Sequence, residues 1–147
     1  MLGYMLTWTT YGTWLQGDDR GYVSNGKVLN ANPALRTANL HRLKSPAVFL
    51  TPKQREVIYK SILDEAKTLG QEILAAAVEP DHVHLVAKPT PKTIERVVAH
   101  YKNAARIALR SNGLICRVWT KGFDKRFCYS QQDLQSRIVY VTKHKKV

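Results

Sequence analysis

Cysteine is scarce in this chain. The two present, Cys116 and Cys128, stand apart from each other and from any histidine, which argues against both a disulfide framework and a zinc knuckle. Both are read as buried thiols in a reducing compartment. Long apolar runs are also missing. No stretch approaches the roughly 20 residues needed to span a bilayer, and Met1 to Leu6 lacks the basic start and apolar run of a signal peptide. The expectation is a cytoplasmic protein with no membrane partner. No glycine-rich phosphate loop occurs, so no nucleotide cofactor is expected, and repeats and low-complexity tracts are absent. Acidic residues are few as well: 11 against 23 lysines and arginines, a net charge of +12. Such an excess repels itself and is usually balanced by a polyanion, nucleic acid first among them. A merely basic, well-solvated surface is the bland alternative. What is present is 44% apolar residues over 147 positions, enough for one domain, residues 1–147, with a core that needs no covalent staple.

Tyr4 through Trp14 is dense in β-branched and aromatic residues and predicts a first strand, with a stop signal at Gly12. From Gln16 to about Ser45 turn formers dominate, a loop long enough to carry function. Within it Tyr22-Val23 and Lys27-Val28-Leu29 flank Asn25-Gly26 as a minor hairpin. Thr51 then caps a helix with Pro52 in its first turn, and Val57, Ile58, Ile62, Leu63 and Ala66 recur at helical spacing until Gly70. Ile73 to Val78 and His82 to Lys88, split by Glu79-Pro80-Asp81, predict a strand pair. A second helix follows Pro91 and stops near Asn112-Gly113. Leu114 to Trp119 and Arg126 to Tyr129 are expected as strands, and Asp133 to His144 as a terminal helix with Leu134, Ile138 and Val141 on one face. This order predicts an α+β protein: a ferredoxin-like split βαβ sandwich, an antiparallel sheet with helices on one face and a terminal helix carrying Tyr140.

In Pro80-Asp81-His82-Val83-His84-Leu85-Val86 the two histidines are two apart, so a strand projects both imidazoles from one face, where they suit a single metal ion. Taken alone, such a pair also serves as ordinary core or surface residues. On the terminal helix Tyr140 and His144 are four apart and share a helical side. If that helix crosses the sheet face bearing His82 and His84, three imidazoles gather beside a phenol. A tyrosine is a competent nucleophile when a metal polarises its target, although one at this spacing is commonly a packing residue.

The Trp8-Thr9-Thr10-Tyr11-Gly12-Thr13-Trp14 opening, Pro80 to Val86, the basic second helix and Tyr140 to His144, in that order over nearly the whole chain, resemble the single-tyrosine HUH transposases. Within that superfamily they most resemble the REP-associated tyrosine transposases. The resemblance implies a strand transferase of single-stranded or hairpin DNA. In it Tyr140 is the nucleophile of a 5′-phosphotyrosine intermediate, and His82, His84 and His144 hold a divalent metal, Mg or Mn. Where the family often carries Asn before the first histidine and Gln or Asn after the tyrosine, this chain has Asp81 and His144, and a third imidazole shifts preference towards a transition metal. Relatives include monomers and homodimers.

Lys102, Arg106 and Arg110 fall four apart on the second helix, a ridge suited to a phosphate backbone, and Arg137 and Lys143, with Lys145 and Lys146, add charge around the tyrosine helix. Trp8, Tyr11 and Trp14 are able to stack on unpaired bases but fit a core equally well. Two other classes compete with the enzyme: a domesticated module that binds hairpin DNA without cutting it, and an RNA-binding ferredoxin-like domain, whose usual aromatic-rich strand signature is missing.

Overall fold

The computed structural model describes residues 1–13, 22–24, 27–30, 33–34 and 46–144; for 22–24, 27–29 and 144 the description is of the backbone. The loop turns at Gly17–Gly21, Asn25-Gly26 and Asn32, together with Trp14, Lys145 and Lys146, lie outside the described residues.

The elements are β1 (Gly3–Thr9), β2 (Tyr22–Ser24), β3 (Lys27–Leu29), α1 (Pro52–Leu69), β4 (Ile73–Val78), β5 (His82–Ala87), α2 (Ile94–Ser111), β6 (Asp124–Cys128) and α3 (Gln131–His144). Four strands form one sheet in the order β4-β5-β1-β6, every neighbour antiparallel. This is the split βαβ arrangement, and β2 pairs with β3 in the separate hairpin expected.

Local chemistry accounts for the helices. Thr51 accepts from the Gln54 amide while the Gln54 side chain accepts from the Thr51 amide, a reciprocal cap, and Gly70 at φ 66° closes α1 in the left-handed region. Thr93 caps α2 by accepting from the Arg96 amide, and Ser130 caps α3 by accepting from the Asp133 amide.

The sheet separates two cores. On one face Ile58, Ile62 and Ala66 of α1 and Val97, Tyr101, Ala105 and Leu109 of α2 pack on Tyr4, Leu6, Trp8, Val83, Leu85 and Ala87. On the other, Leu134 and Val141 of α3 pack on Met5, Ala77, Val86 and Cys128. Inside the larger core Tyr101 donates to Gln71, whose amide donates to Tyr4 and to the Lys88 carbonyl. Burial holds the Tyr101 phenol well above its ordinary range.

Several expectations need correction. The first strand stops at Thr9, ahead of the stop expected at Gly12, because the chain from Thr10 to Thr13 folds into a turn with Gly12 at φ 77°. Leu114 to Trp119 is irregular apart from one bridge from Trp119 to Thr10. The last strand runs Asp124–Cys128, ending before Tyr129. Cys128 is buried, but Cys116 is exposed. No described helix is long and apolar enough to cross a membrane.

Candidate active site

Alternation along β5 sends Val83, Leu85 and Ala87 into the α1–α2 core and turns His82, His84 and Val86 to the face that α3 covers. The His82 and His84 rings stand edge to face with centroids 4.5 Å apart, and the Tyr140 ring meets His84 in the same manner at 5.6 Å. Val141 anchors α3 in the smaller core, whereas Tyr140, one residue earlier, stays 42% exposed. The phenol is therefore accessible and beside the imidazoles.

Each ring is held through Nδ1. His82 Nδ1 lies 2.6 Å from Asp81 Oδ1. A carboxylate only accepts, so in the neutral ring Nδ1 carries the proton and Nε2 the lone pair. His84, 7% exposed, has Nδ1 2.9 Å from Thr7 Oγ1. When Nδ1 donates to that hydroxyl, Nε2 again carries the lone pair. Thr7 is the β1 residue directly opposite His84 in the register.

Outer partners of this kind orient metal-bound histidines generally, and paired imidazoles favour transition ions. The donor chemistry thus fits a divalent ion as far as two ligands. Among the described residues no group of three or more His, Cys, Asp or Glu gathers. The third expected ligand, His144, closes α3 one turn beyond Tyr140, and there only its backbone is described.

The expected DNA-contact residues are not one surface. Lys102 Nζ donates to the Thr120 and Gly122 carbonyls at 2.9 and 2.7 Å, and burial, followed by the nearby Arg117, lowers its pKa. Its ammonium is tied to two backbone carbonyls, so the ridge expected on α2 reduces to Arg106 and Arg110, both exposed. These two lie on the opposite side of the sheet from Tyr140. Arg137 and Lys143 sit three residues before and after Tyr140 on α3, hence on its side of the helix. Trp8 is 1% exposed, stacked 6.5 Å from Tyr101 and edge-on to Trp119, and Tyr11 is buried beneath the Arg117 guanidinium. Neither Trp8 nor Tyr11 offers a face to a base. Residue patterns missed Thr7 as the partner of His84; the alternation of β1 places it on the histidine face, but only the β1–β5 register brings the two together.

A sheet of this topology with a histidine pair beside an α3 tyrosine is the arrangement that the resemblance to transposases implied. The family model described as "Transposase IS200 like" matches residues 40–144, and the chain belongs to that family. The fold is similar to that of a REP-associated tyrosine transposase solved bound to a REP hairpin, with a TM-score of 0.59 at 13% identity, covering 97% of this chain and 68% of that one. It is also similar to a candidate transposase from Deinococcus radiodurans R1, with a TM-score of 0.52 at 18% identity, covering 99% and 92%. No protein among curated sequences matches significantly.

Proposed function

We propose that residues 1–147 act as one domain that cleaves and rejoins single-stranded DNA, with Tyr140 as the nucleophile. The observation that carries this reading is the convergence of His82, His84 and the accessible Tyr140 ring on one face of the sheet. Tyr140 Oη attacks the scissile phosphorus, a phosphorus–oxygen bond to tyrosine forms, and the bond to the 3′ oxygen breaks. The phenol proton is lost and the departing 3′ oxygen gains one. Attack by another 3′-hydroxyl reverses the chemistry on a new strand and regenerates the phenol, so the strand bond is conserved without a nucleotide cofactor.

His82, His84 and His144 are the residues that would hold a divalent ion, Mg, Mn or another transition metal. Such an ion supplies Lewis-acid polarisation of a phosphoryl oxygen. Asp81 and Thr7 orient the two strand imidazoles, and Arg137 and Lys143 place positive charge on either side of Tyr140, where a DNA phosphate has to approach. Hairpin DNA is the favoured substrate, by analogy with the REP-hairpin complex of the similar transposase.

The test is a denaturing gel after incubation with hairpin DNA bearing single-stranded flanks and Mn²⁺. The wild-type chain yields a covalent protein–DNA adduct and Tyr140→Phe yields none while retaining DNA affinity. An adduct at wild-type level in Tyr140→Phe removes the nucleophile assignment. Hairpin binding by the wild type with no adduct would favour the binding-only module.

A further inference from the structure

The segment from Trp8 to Thr13 contributes neither the phenol nor the imidazoles, yet two of its buried hydroxyls meet the chain where β5 begins. Past β1 the backbone bridges from Thr10 to Trp119 and turns through Gly12, which brings Thr13 back over Thr10. Thr10 is fully buried and Thr13 is 7% exposed. Their hydroxyl oxygens are 2.8 Å apart, and that of Thr13 lies 2.9 Å from the Thr10 carbonyl. The Asp81 carbonyl lies 2.9 Å from the Thr10 amide, 3.2 Å from the Thr10 hydroxyl and 3.4 Å from the Thr13 hydroxyl.

Each hydroxyl has one proton to give. The shortest consistent set has Thr13 donating to the Thr10 carbonyl, and Thr10 donating to the Thr13 oxygen and, as a shared bond, to Asp81. With the Thr10 amide, both lone pairs of the Asp81 carbonyl are then occupied. A valine at either position would fill the same volume without a hydroxyl to satisfy. The Thr10 hydroxyl thus reaches the Asp81 carbonyl oxygen directly, and the Thr13 hydroxyl, 3.4 Å from that oxygen, acts on it by accepting from Thr10. The Asp81 carboxylate in turn accepts from His82 Nδ1.

We infer that Thr10 and Thr13 are positioning residues for the histidine pair: they fix the Asp81 backbone so that its carboxylate holds His82 in one tautomer and one orientation. β1 and its continuation thereby set both imidazoles, His84 through Thr7 and His82 through Thr10, Thr13 and Asp81. The inference rests on the proposal that His82 and His84 ligate a metal.

The experiment uses the full chain, ¹⁵N-histidine NMR without metal, and titration with Co²⁺. The wild type should show neutral His82 as the Nδ1–H tautomer. Thr13→Val and Thr10→Val should admit the Nε2–H tautomer and weaken Co²⁺ binding about tenfold, the scale on which outer partners of metal-bound histidines act. Thr13→Ser and Thr10→Ser should restore both signals. A Thr13→Val chain with wild-type Co²⁺ affinity and an unchanged tautomer overturns the inference. So does a wild-type spectrum showing Nε2–H, which decides the matter even if Thr10→Val fails to fold. His82→Ala separates the two levels. Unchanged Co²⁺ affinity in that variant defeats the metal reading, whereas lost affinity there with no effect of the valines defeats only the positioning role.

Discussion

Tyr140 and Tyr129 both occur late in the chain, but their surroundings differ. Tyr129 is 70% exposed and touches Phe127, with centroids 6.2 Å apart. It follows Cys128, which pairs with Gly3, whereas His84 pairs with Thr7. Four residues along β1 separate those levels by about 13 Å. Tyr129→Phe should therefore form the adduct at the wild-type rate and change stability by less than about 0.5 kcal/mol. A Tyr129→Phe chain without adduct on the denaturing gel would move the nucleophile away from α3. The placement of His82 and His84 on one face was legible in sequence because a strand repeats every two residues. Thr7 as the partner of His84 was not, because the pairing joins residues 77 apart and no local pattern encodes that register.

At the scale of elements, α2 shows what helical spacing reveals and what it omits. Rows four residues apart put Lys102, Arg106 and Arg110 on one ridge, but of the three only Arg106 and Arg110 are exposed, while Lys102 is half-buried. The spacing says nothing of the segment around Thr120 and Gly122 that folds over Lys102. The three cations should consequently separate by experiment. Lys102→Ala leaves two carbonyls without their ammonium donor and should cost about 1–3 kcal/mol in urea unfolding, with little change in how DNA affinity depends on salt. Arg106→Ala with Arg110→Ala should leave stability within about 0.5 kcal/mol. If these arginines meet phosphates, the log-log salt slope should flatten by roughly one for each phosphate no longer neutralised. A flattened slope in Lys102→Ala at unchanged stability would contradict the carbonyl assignment. The same tertiary blindness lengthened the first predicted strand. Gly12 signalled the stop, but the β-branched and aromatic residues leading up to it gave no sign that the strand already ends at Thr9. Ile115 and Cys116, both exposed, lie in a segment whose apolar residues suggested another strand.

Across the whole molecule, the predicted element order already specified the sandwich, but not how unequal its two faces are. α1 and α2 share the larger core, while α3 is held to the other face chiefly by Leu134 and Val141. Tyr140 therefore depends on the less deeply anchored helix. Leu134 comes so close to β1 that a Cβ added to Gly3 would lie 2.8 Å from its Cδ1 and 2.9 Å from the Ala87 carbonyl oxygen. The bare glycine admits the leucine, and the leucine fixes the start of α3. Leu134→Ala should remove about 2–4 kcal/mol, within the range for emptying a buried leucine site. Because local opening free energies follow local packing, the loss should appear in α3 first. Amide hydrogen exchange should accelerate across 131–144 while α1 and α2 keep their protection. Adduct formation should fall in step with the closed population of α3, since the phenol leaves His84 whenever the helix opens. Equal acceleration in all three helices would show that the two faces unfold as one unit. Unchanged exchange in α3 would show that Leu134 does not anchor it.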